Sequence, residues 1–478
     1  MIDTSHVQWH LSHSYQSLAD DYFSHVAPQP VRNPHMVLYN DRYAAQLKLD
    51  FSYDTAINIF SGNVMPRGAS PIAQAYAGHQ FGRFNILGDG RAHLLGEHVL
   101  PDGTHIDVQL KGSGITPYSR NGDGRAALGP MLREYIISEA MYALRIPTTR
   151  SLCVVSTGEA VYREHMEQGA VLARTAQSHI RVGTFEYIAS KKDIKGLKQL
   201  ADYAIARHYP DITGKSQRYV HFLAAVIERQ IALVVDWMRI GFIHGVMNTD
   251  NVSIAGETLD YGPCAFMDHY DPNTVFSYID QQGRYGFSNQ AAITGWNMAR
   301  FAESIIPLLH EEISEAVSIA EHVLSHYNQQ FQDAWHSMMR RKLGLPGAGA
   351  EDDVLVKDFL QWMQRNQADY TNSFRMLCDD YTPLPQDAEF TQWYQRWKQR
   401  ISNPKQARAI MRENNPAVIP RNHHVQVALS QAEKGNIEAC HELLDILANP
   451  YERPASDYQR YTLPPTDEER VINTFCGT

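Results

Sequence analysis

The chain has 478 residues, 44% hydrophobic and 20% charged, enough for a sizeable core and for two or three tightly joined units. Its formal charge of −10 argues against nonspecific nucleic-acid binding as its task, though not against a local basic pocket for a small polyanion. No stretch approaches ~18 uninterrupted apolar residues, and the N-terminus lacks the pattern of a targeting segment, so a soluble cytoplasmic protein is expected.

Residues 1 to about 70, punctuated by Pro and Asn (APQPVRNP), read as an extension laid over a domain. From 71 to about 200, Gly-rich turns separate short apolar runs. HIDVQL alternates with period 2 after the turn Pro101-Asp102-Gly103, which predicts a β-hairpin. MLREYIISEAMYAL, 131–144, has helical spacing, and the strand-like LCVVST and AVLARTA follow. This part reads as a small sheet carrying one prominent helix. RYVHFLAAVIERQIALVVDWMRIGF, 218–242, predicts a long buried helix ending at Gly241. NVSIAGETLDYG then predicts two short strands around Gly256, with helices over about 293–309 and 311–341. LGLPGAGAEDD, 343–353, is linker-like, and the remainder reads as helical with a Pro-rich tail.

Several residues along this frame can carry chemistry. Gly88-Asp89-Gly90-Arg91 recurs as Gly122-Asp123-Gly124-Arg125; backbone without Cβ can approach a phosphate, and each Arg can donate a fork of hydrogen bonds to it. As bare sequence, Asp-Gly is equally a common turn. Lys111 ends a strand, and Glu134 sits early in the next long helix. That order matches the Lys–Glu ion pair that positions ATP phosphates in kinase-like folds. Arg174 and Arg181 add cations that could meet the far end of a triphosphate, or lie on the surface. HGVMNTDN, 244–251, keeps the His and Asn spacing of a kinase catalytic loop but has Val246 where the base Asp would stand. Asn251 and Asp260, the latter in Asp260-Tyr261-Gly262, bracket a short hairpin and offer hard oxygen ligands suited to Mg²⁺. Five scattered cysteines without C-x-x-C argue against a zinc site or a disulfide framework.

YAGHQFG, LGDGR, LKGSG-TPYSR-GDGR, HGVMNTDN and LDYGP together closely resemble the selenoprotein O family, also called the YdiU family, through most of the chain. The resemblance implies an α+β, protein-kinase-like bilobal fold: an N-terminal extension (1–70), a β-rich N-lobe (71–200), a helical C-lobe (201–342) and a helical C-terminal extension (343–478). It implies a protein adenylyltransferase that binds ATP in a flipped orientation and moves AMP to Ser, Thr or Tyr hydroxyls of proteins. Carried over, Lys111, Arg174 and Arg181 would hold the β/γ-phosphates, with Glu134 paired to Lys111. Gly88, Gly90, Arg91, Asp123 and Gly124 would line the nucleotide site. Asn251 and Asp260 would bind Mg²⁺ (or Mn²⁺), and Asp250 would accept the proton. Family members also imply redox control through the C-terminal Cys, here Cys476; Cys264 is the one cysteine between Asp260 and about residue 290 that could pair with it. The expected partners are ATP and hydroxyl-bearing proteins, with no nucleic acid or membrane, and a monomer is expected. An ordinary kinase and a catalytically inactive nucleotide-binding scaffold remain the alternatives.

Overall fold

The computed structural model describes residue 9, residues 11–379 and residues 383–475. Its strands are β1 (Leu11–Ser12), β2 (Phe23–His25), β3 (His35–Tyr39), β4 (Ile72–Gln74), β5 (Ala77–Gln80), β6 (Arg83–Ile86), β7 (Ala92–Val99), β8 (His105–Lys111), β9 (Ala126–Ala127), β10 (Arg150–Tyr162), β11 (Met166–Ala176), β12 (Phe242–Ile243) and β13 (Ala265–Phe266). Nine of them form one antiparallel sheet in the order β2-β4-β7-β8-β11-β10-β3, with β1 on β7 and β9 on β11. β5–β6 and β12–β13 are separate two-stranded pairs.

Period-2 alternation explains how the sheet is covered on both faces. Leu95, Val155 and Val171 pack with Tyr43, Ile59 and Phe60, from α1 (Asp41–Gln46) and α2 (Tyr53–Phe60). Their neighbours Leu94, Val154 and Leu172 turn the other way, into the main core with α3 (Leu128–Ala143). The first seventy residues therefore do more than lie over the domain: they cover one face and supply β1, β2 and β3 to the sheet itself. The expected small sheet is larger for the same reason.

After the sheet the chain is helical: α4 (Val182–Ser190), α5 (Ile194–His208), α6 (Arg218–Arg239), α7 (Gln290–Leu309), then eight helices from Ile313–Ser325 to Glu438–Leu447. α6 ends where expected, because Gly241 adopts φ +73°, a left-handed stop. The region 311–341 is two helices, Ile313–Ser325 and Tyr327–Lys342, rather than one. NVSIAGETLDYG forms no strands. Val252 does bridge Thr258 antiparallel across Gly256, as a hairpin would, but the pairing stops at that one bridge, and Ser253 and Thr258 also bridge outward to Arg181 and Thr148.

The C-terminal helices are locked to the segment following Asp260 by one buried cation. Arg421 Nη1 lies 2.7 Å from both Asp268 Oδ1 and Asp369 Oδ2, and Nη2 donates to the Thr462 carbonyl at 3.0 Å. Arg421 is almost wholly buried, so removing it strands two carboxylates in low dielectric. Arg421→Ala is expected to destabilise the fold by about 3–5 kcal/mol, read as a lower midpoint in urea denaturation.

Candidate active site

Five elements bring ionic side chains to one point. In the sheet register Lys111 stands opposite Leu172 and Gln109 opposite Arg174, so Lys111 and Arg174 descend side by side from adjacent strands. α3 brings Glu134, Arg181 stands at the N-terminus of α4, and the loop from Asn248 to Asp260 closes beneath them. Lys111 Nζ is 2.6 Å from Glu134 Oε2 and 2.6 Å from Asp260 Oδ1. Arg174 Nη1 is 2.7 Å from Glu134 Oε1 and 2.7 Å from Asp260 Oδ1. Arg181 Nη1 completes the cluster, 2.6 Å from Asp260 Oδ2. Three cations thus share two carboxylates.

Burial alone would raise the Asp260 carboxyl, but Arg174, Lys111 and Arg181 outweigh it and hold the group well below the usual carboxylate range. Glu134 is likewise held down, against burial, by Lys111 and Arg174. Asp260 adopts φ +60°, a left-handed conformation costly for a side-chain-bearing residue. Its approach is fixed by His244: the Val246 N–H donates to Nδ1 at 3.4 Å, so Nε2–H donates to the Leu259 carbonyl at 2.9 Å. Burial keeps this imidazole neutral. Val246 is itself a buried apolar side chain.

Asp250 has different surroundings. Its main-chain oxygen accepts from Arg181 Nη1 at 2.6 Å, yet its carboxylate Oδ1 is buried without a hydrogen-bond partner. Gly78 of β5 lies against that carboxylate so closely that a Cβ there would collide with it. Burial pushes the Asp250 carboxyl up to about 6, against the opposing pull of Arg181. Asn251 donates through Nδ2 to the Val246 carbonyl at 3.0 Å, which leaves Oδ1 as its accepting atom.

A cleft of about 1020 Å³ joins these groups to both glycine turns, at the upper end of the range for small-ligand sites. Gly88, Gly90, Arg91, Lys111, Asp123, Gly124, Glu134, Arg174, Arg181, Asp250, Asn251 and Asp260 all line it. The two turns are built differently. Gly88 and Gly90 sit flush against Tyr118 and its backbone, while Gly124 adopts φ +67° against Gly114. Asp123 is engaged by Arg163 Nη1 at 2.9 Å near the surface. Cys476 lies outside the described residues; Cys264 is buried.

Sequence reasoning passed over three contributors. Asp89, buried in the first glycine turn, accepts from Gln74 N–H at 3.1 Å and Gln109 Nε2 at 3.2 Å; burial raises its carboxyl to about 6. Gln109 Oε1 also accepts from Arg174 Nε at 2.9 Å. The third is the β5–β6 hairpin, which carries Gly78. The repeated Gly-Asp-Gly-Arg pattern pointed toward Asp89 and the motif YAGHQFG contained Gly78 without assigning it a role, while nothing local marked Gln109.

The ligands expected for a divalent cation are one carboxylate, Asp260, and one amide oxygen, Asn251, in a cleft that Asp89 and Asp250 also line. Among the described residues no three His, Cys, Asp or Glu side chains gather as a metal site. That donor set fits Mg²⁺ or Mn²⁺ where phosphate oxygens and water complete the shell.

The family model described as "Protein adenylyltransferase SelO" matches residues 6–448. A "Protein nucleotidyltransferase YdiU" of Nitrosococcus oceani is 54% identical over 483 residues, covering 99% of this chain and 98% of that protein. A protein of the same name from Bacillus cereus is 50% identical over 489 residues, covering all of both chains. The chain is therefore an enzyme of the nucleotidyltransferase class. Within that class it belongs to the SelO family. Among its described residues no helix is long and apolar enough to cross a membrane.

The buried Asp250 charge carries a stability consequence. Its folded-state pKa of about 6 lies above the ordinary value of 3.8, so the folded chain is penalised as pH rises through that window. Asp250→Asn is expected to stabilise the protein at pH 7.5 by up to about 3 kcal/mol. The rise in Tm should shrink as pH approaches 4.

Proposed function

We propose that the enzyme transfers AMP from ATP to Ser, Thr or Tyr hydroxyls of proteins and releases pyrophosphate. Its lobes would be arranged as in protein kinases, with residues 71–200 as the N-lobe, 201–342 as the C-lobe and 343–478 as a helical extension. One observation carries this reading. The kinase base position is the buried, apolar Val246, whereas Asp250 presents a buried carboxylate oxygen that no group in the protein satisfies. A base placed at Asp250 rather than at residue 246 serves a different phosphate.

In this reading Lys111, Arg174 and Arg181 receive the β- and γ-phosphates, so the α-phosphate faces the acceptor. The acceptor oxygen attacks the α-phosphorus, forming the new P–O bond while the bond to the β-phosphate's bridging oxygen breaks. The hydroxyl proton passes to Asp250, whose elevated pKa makes it a competent acceptor near neutral pH. Negative charge growing on the leaving pyrophosphate meets cations already fixed in a buried site. Gly88, Gly90, Arg91, Asp123 and Gly124 shape the nucleotide wall. Asn251 and Asp260 would hold a divalent cation, which supplies charge neutralisation of the phosphate oxygens when bound.

The three cations now on Asp260 must release it before its oxygens can serve a metal. The nucleotide's phosphates are the anions that can take those cations. Metal and nucleotide should therefore bind with strong positive coupling.

ATP labelled separately on its α- and γ-phosphates tests the transfer. Label from the α-phosphate alone should enter protein; incorporation of γ-label would replace this reading with a kinase, and no transfer with a scaffold. Asp250→Ala should cut transfer about 10²–10⁴-fold with ATP affinity retained. In the wild type the rate should rise through about pH 6, since only the ionised carboxylate accepts a proton. Calorimetry with Mn²⁺ should show at least about tenfold tighter metal binding when a non-hydrolysable ATP analogue is present. Equal Mn²⁺ affinity with and without the analogue would remove Asp260 from the metal site.

A further inference from the structure

We infer that the outer edge of the β5–β6 hairpin, with Arg284 beside it, docks an extended acidic segment of the acceptor protein; this rests on the transfer reading above.

The hairpin stands apart from the main sheet and turns at Phe81 (φ 49°) and Gly82 (φ 83°), the two left-handed positions of a tight hairpin turn. Gln80 pairs with Arg83, Gly78 with Asn85, and the Leu87 N–H continues the ladder to the Tyr76 carbonyl at 2.8 Å. Alternation of hydrogen-bonded pairs then directs the N–H and C=O of Phe84 and Ile86 away from β5. All four residues of β6 are exposed, Ile86 by 63%. Most sheet edges are blunted by proline, bulges or several charges; this one carries only Arg83.

Its inner edge is fastened to the reacting loop. The His79 N–H donates to Thr249 Oγ1 at 2.7 Å, the Phe81 N–H to Asn248 Oδ1 at 3.0 Å, and His79 Nδ1 lies 2.6 Å from Glu186 Oε1. With Gly78 against the Asp250 carboxylate, the open edge is a single strand removed from that carboxylate. A segment added there by main-chain hydrogen bonds would deliver its side chains beside the cleft.

Charge specifies the segment. Arg284 lies next to Gly82, with its guanidinium 5.0 Å from the Trp296 ring centroid. Trp296 meets His79 at 5.4 Å, and His79 meets Phe84 at the same distance. Arg300, on the same indole, is already paired with Glu303 at 2.5 Å. Among the described residues Arg284 has no carboxylate at ion-pair distance, and its Nε is buried without a hydrogen-bond partner. In a chain of net charge −10, a guanidinium held between the Trp296 and Tyr285 side chains beside the hairpin turn, and without an ion-pair partner among the described residues, favours a carboxylate from outside.

The test uses short synthetic peptides with one Ser, Thr or Tyr acceptor and Glu or Lys scanned through the flanking positions, labelled from α-labelled ATP. The full chain should favour Glu over Lys by about tenfold in kcat/KM at one or more positions. Arg284→Glu should reverse that preference, and Arg284→Gln should abolish it. Ile86→Pro removes an outward N–H without breaking the pairing to β5, and should lower kcat/KM for every peptide about tenfold below Ile86→Ala. The KM for ATP and the melting temperature should stay unchanged in all four variants. Charge preference that is absent in the wild type, or that survives Arg284→Glu, overturns the inference, as does equal activity of Ile86→Pro and Ile86→Ala. If neither peptides nor the chain itself take up α-label, the transfer reading fails and the docking strand with it. Self-labelling without peptide charge discrimination overturns the docking strand alone.

Discussion

The site is organised around the contact of three cations with Asp260. Lys111, Arg174 and Arg181 come from two strands and a helix N-terminus, and without a shared anion they would repel one another in a buried space. Asp260 and Glu134 supply that anion, with every separation near 2.6–2.7 Å. Such a cluster is a poor way to gain stability, since desolvating five charged groups offsets most of their mutual attraction. A buried apolar patch would hold β8, β11 and α3 together as well. The charges are better understood as kept for a ligand that is itself highly charged.

Much of the surrounding structure serves to hold Asp260 where the cations meet. Its left-handed backbone is strained, and the strain is met by neighbours that do no chemistry: His244 grips the Leu259 carbonyl from inside the core. The segment that follows it is pinned in turn by Arg421, which joins Asp268, eight residues beyond Asp260, to the last third of the chain. The C-terminal helices therefore bear on the site through packing, although none of their charged groups joins the ionic cluster.

How much of this could be read from the sequence depended on whether a residue's role was local. The hairpin β7–β8, helix α3 and the stop at Gly241 were legible because periodicity and turn chemistry act over a few residues. That Lys111, Glu134, Asn251 and Asp260 meet at one cleft was legible from their order along the chain. The full extent of the sheet was not, since β2 and β3 are short strands whose partners lie about 50 and 115 residues away. The two strands expected around Gly256 shrink to a single bridge, Val252 to Thr258, because local alternation says nothing about the outside partners, Arg181 and Thr148, that take up the neighbouring backbone. The roles of Gly78, which the motif YAGHQFG contains, and of Gln109 were not legible for a related reason: what distinguishes each is the side chain it faces across the fold, Asp250 and Arg174.

Asp250 and Asp260 show how the fold sets two carboxylates ten residues apart to opposite uses. Asp260 meets three cations and is held ionised across the physiological range, which suits an anion that must be exchanged among positive partners. Asp250 meets Gly78 and a hairpin backbone, lacks a partner for one oxygen, and has its carboxyl lifted toward neutrality. An unsatisfied buried oxygen is costly, and a chain selected only for stability would have placed an amide or an apolar residue there. The hairpin that imposes this cost is also the element whose outer edge lies open to solvent. If Asp250 is the base, as proposed, then covering it and presenting an edge beside it are consequences of one short structure, and the reactivity of Asp250 and the approach of an acceptor are set by the same ten residues, 77–86.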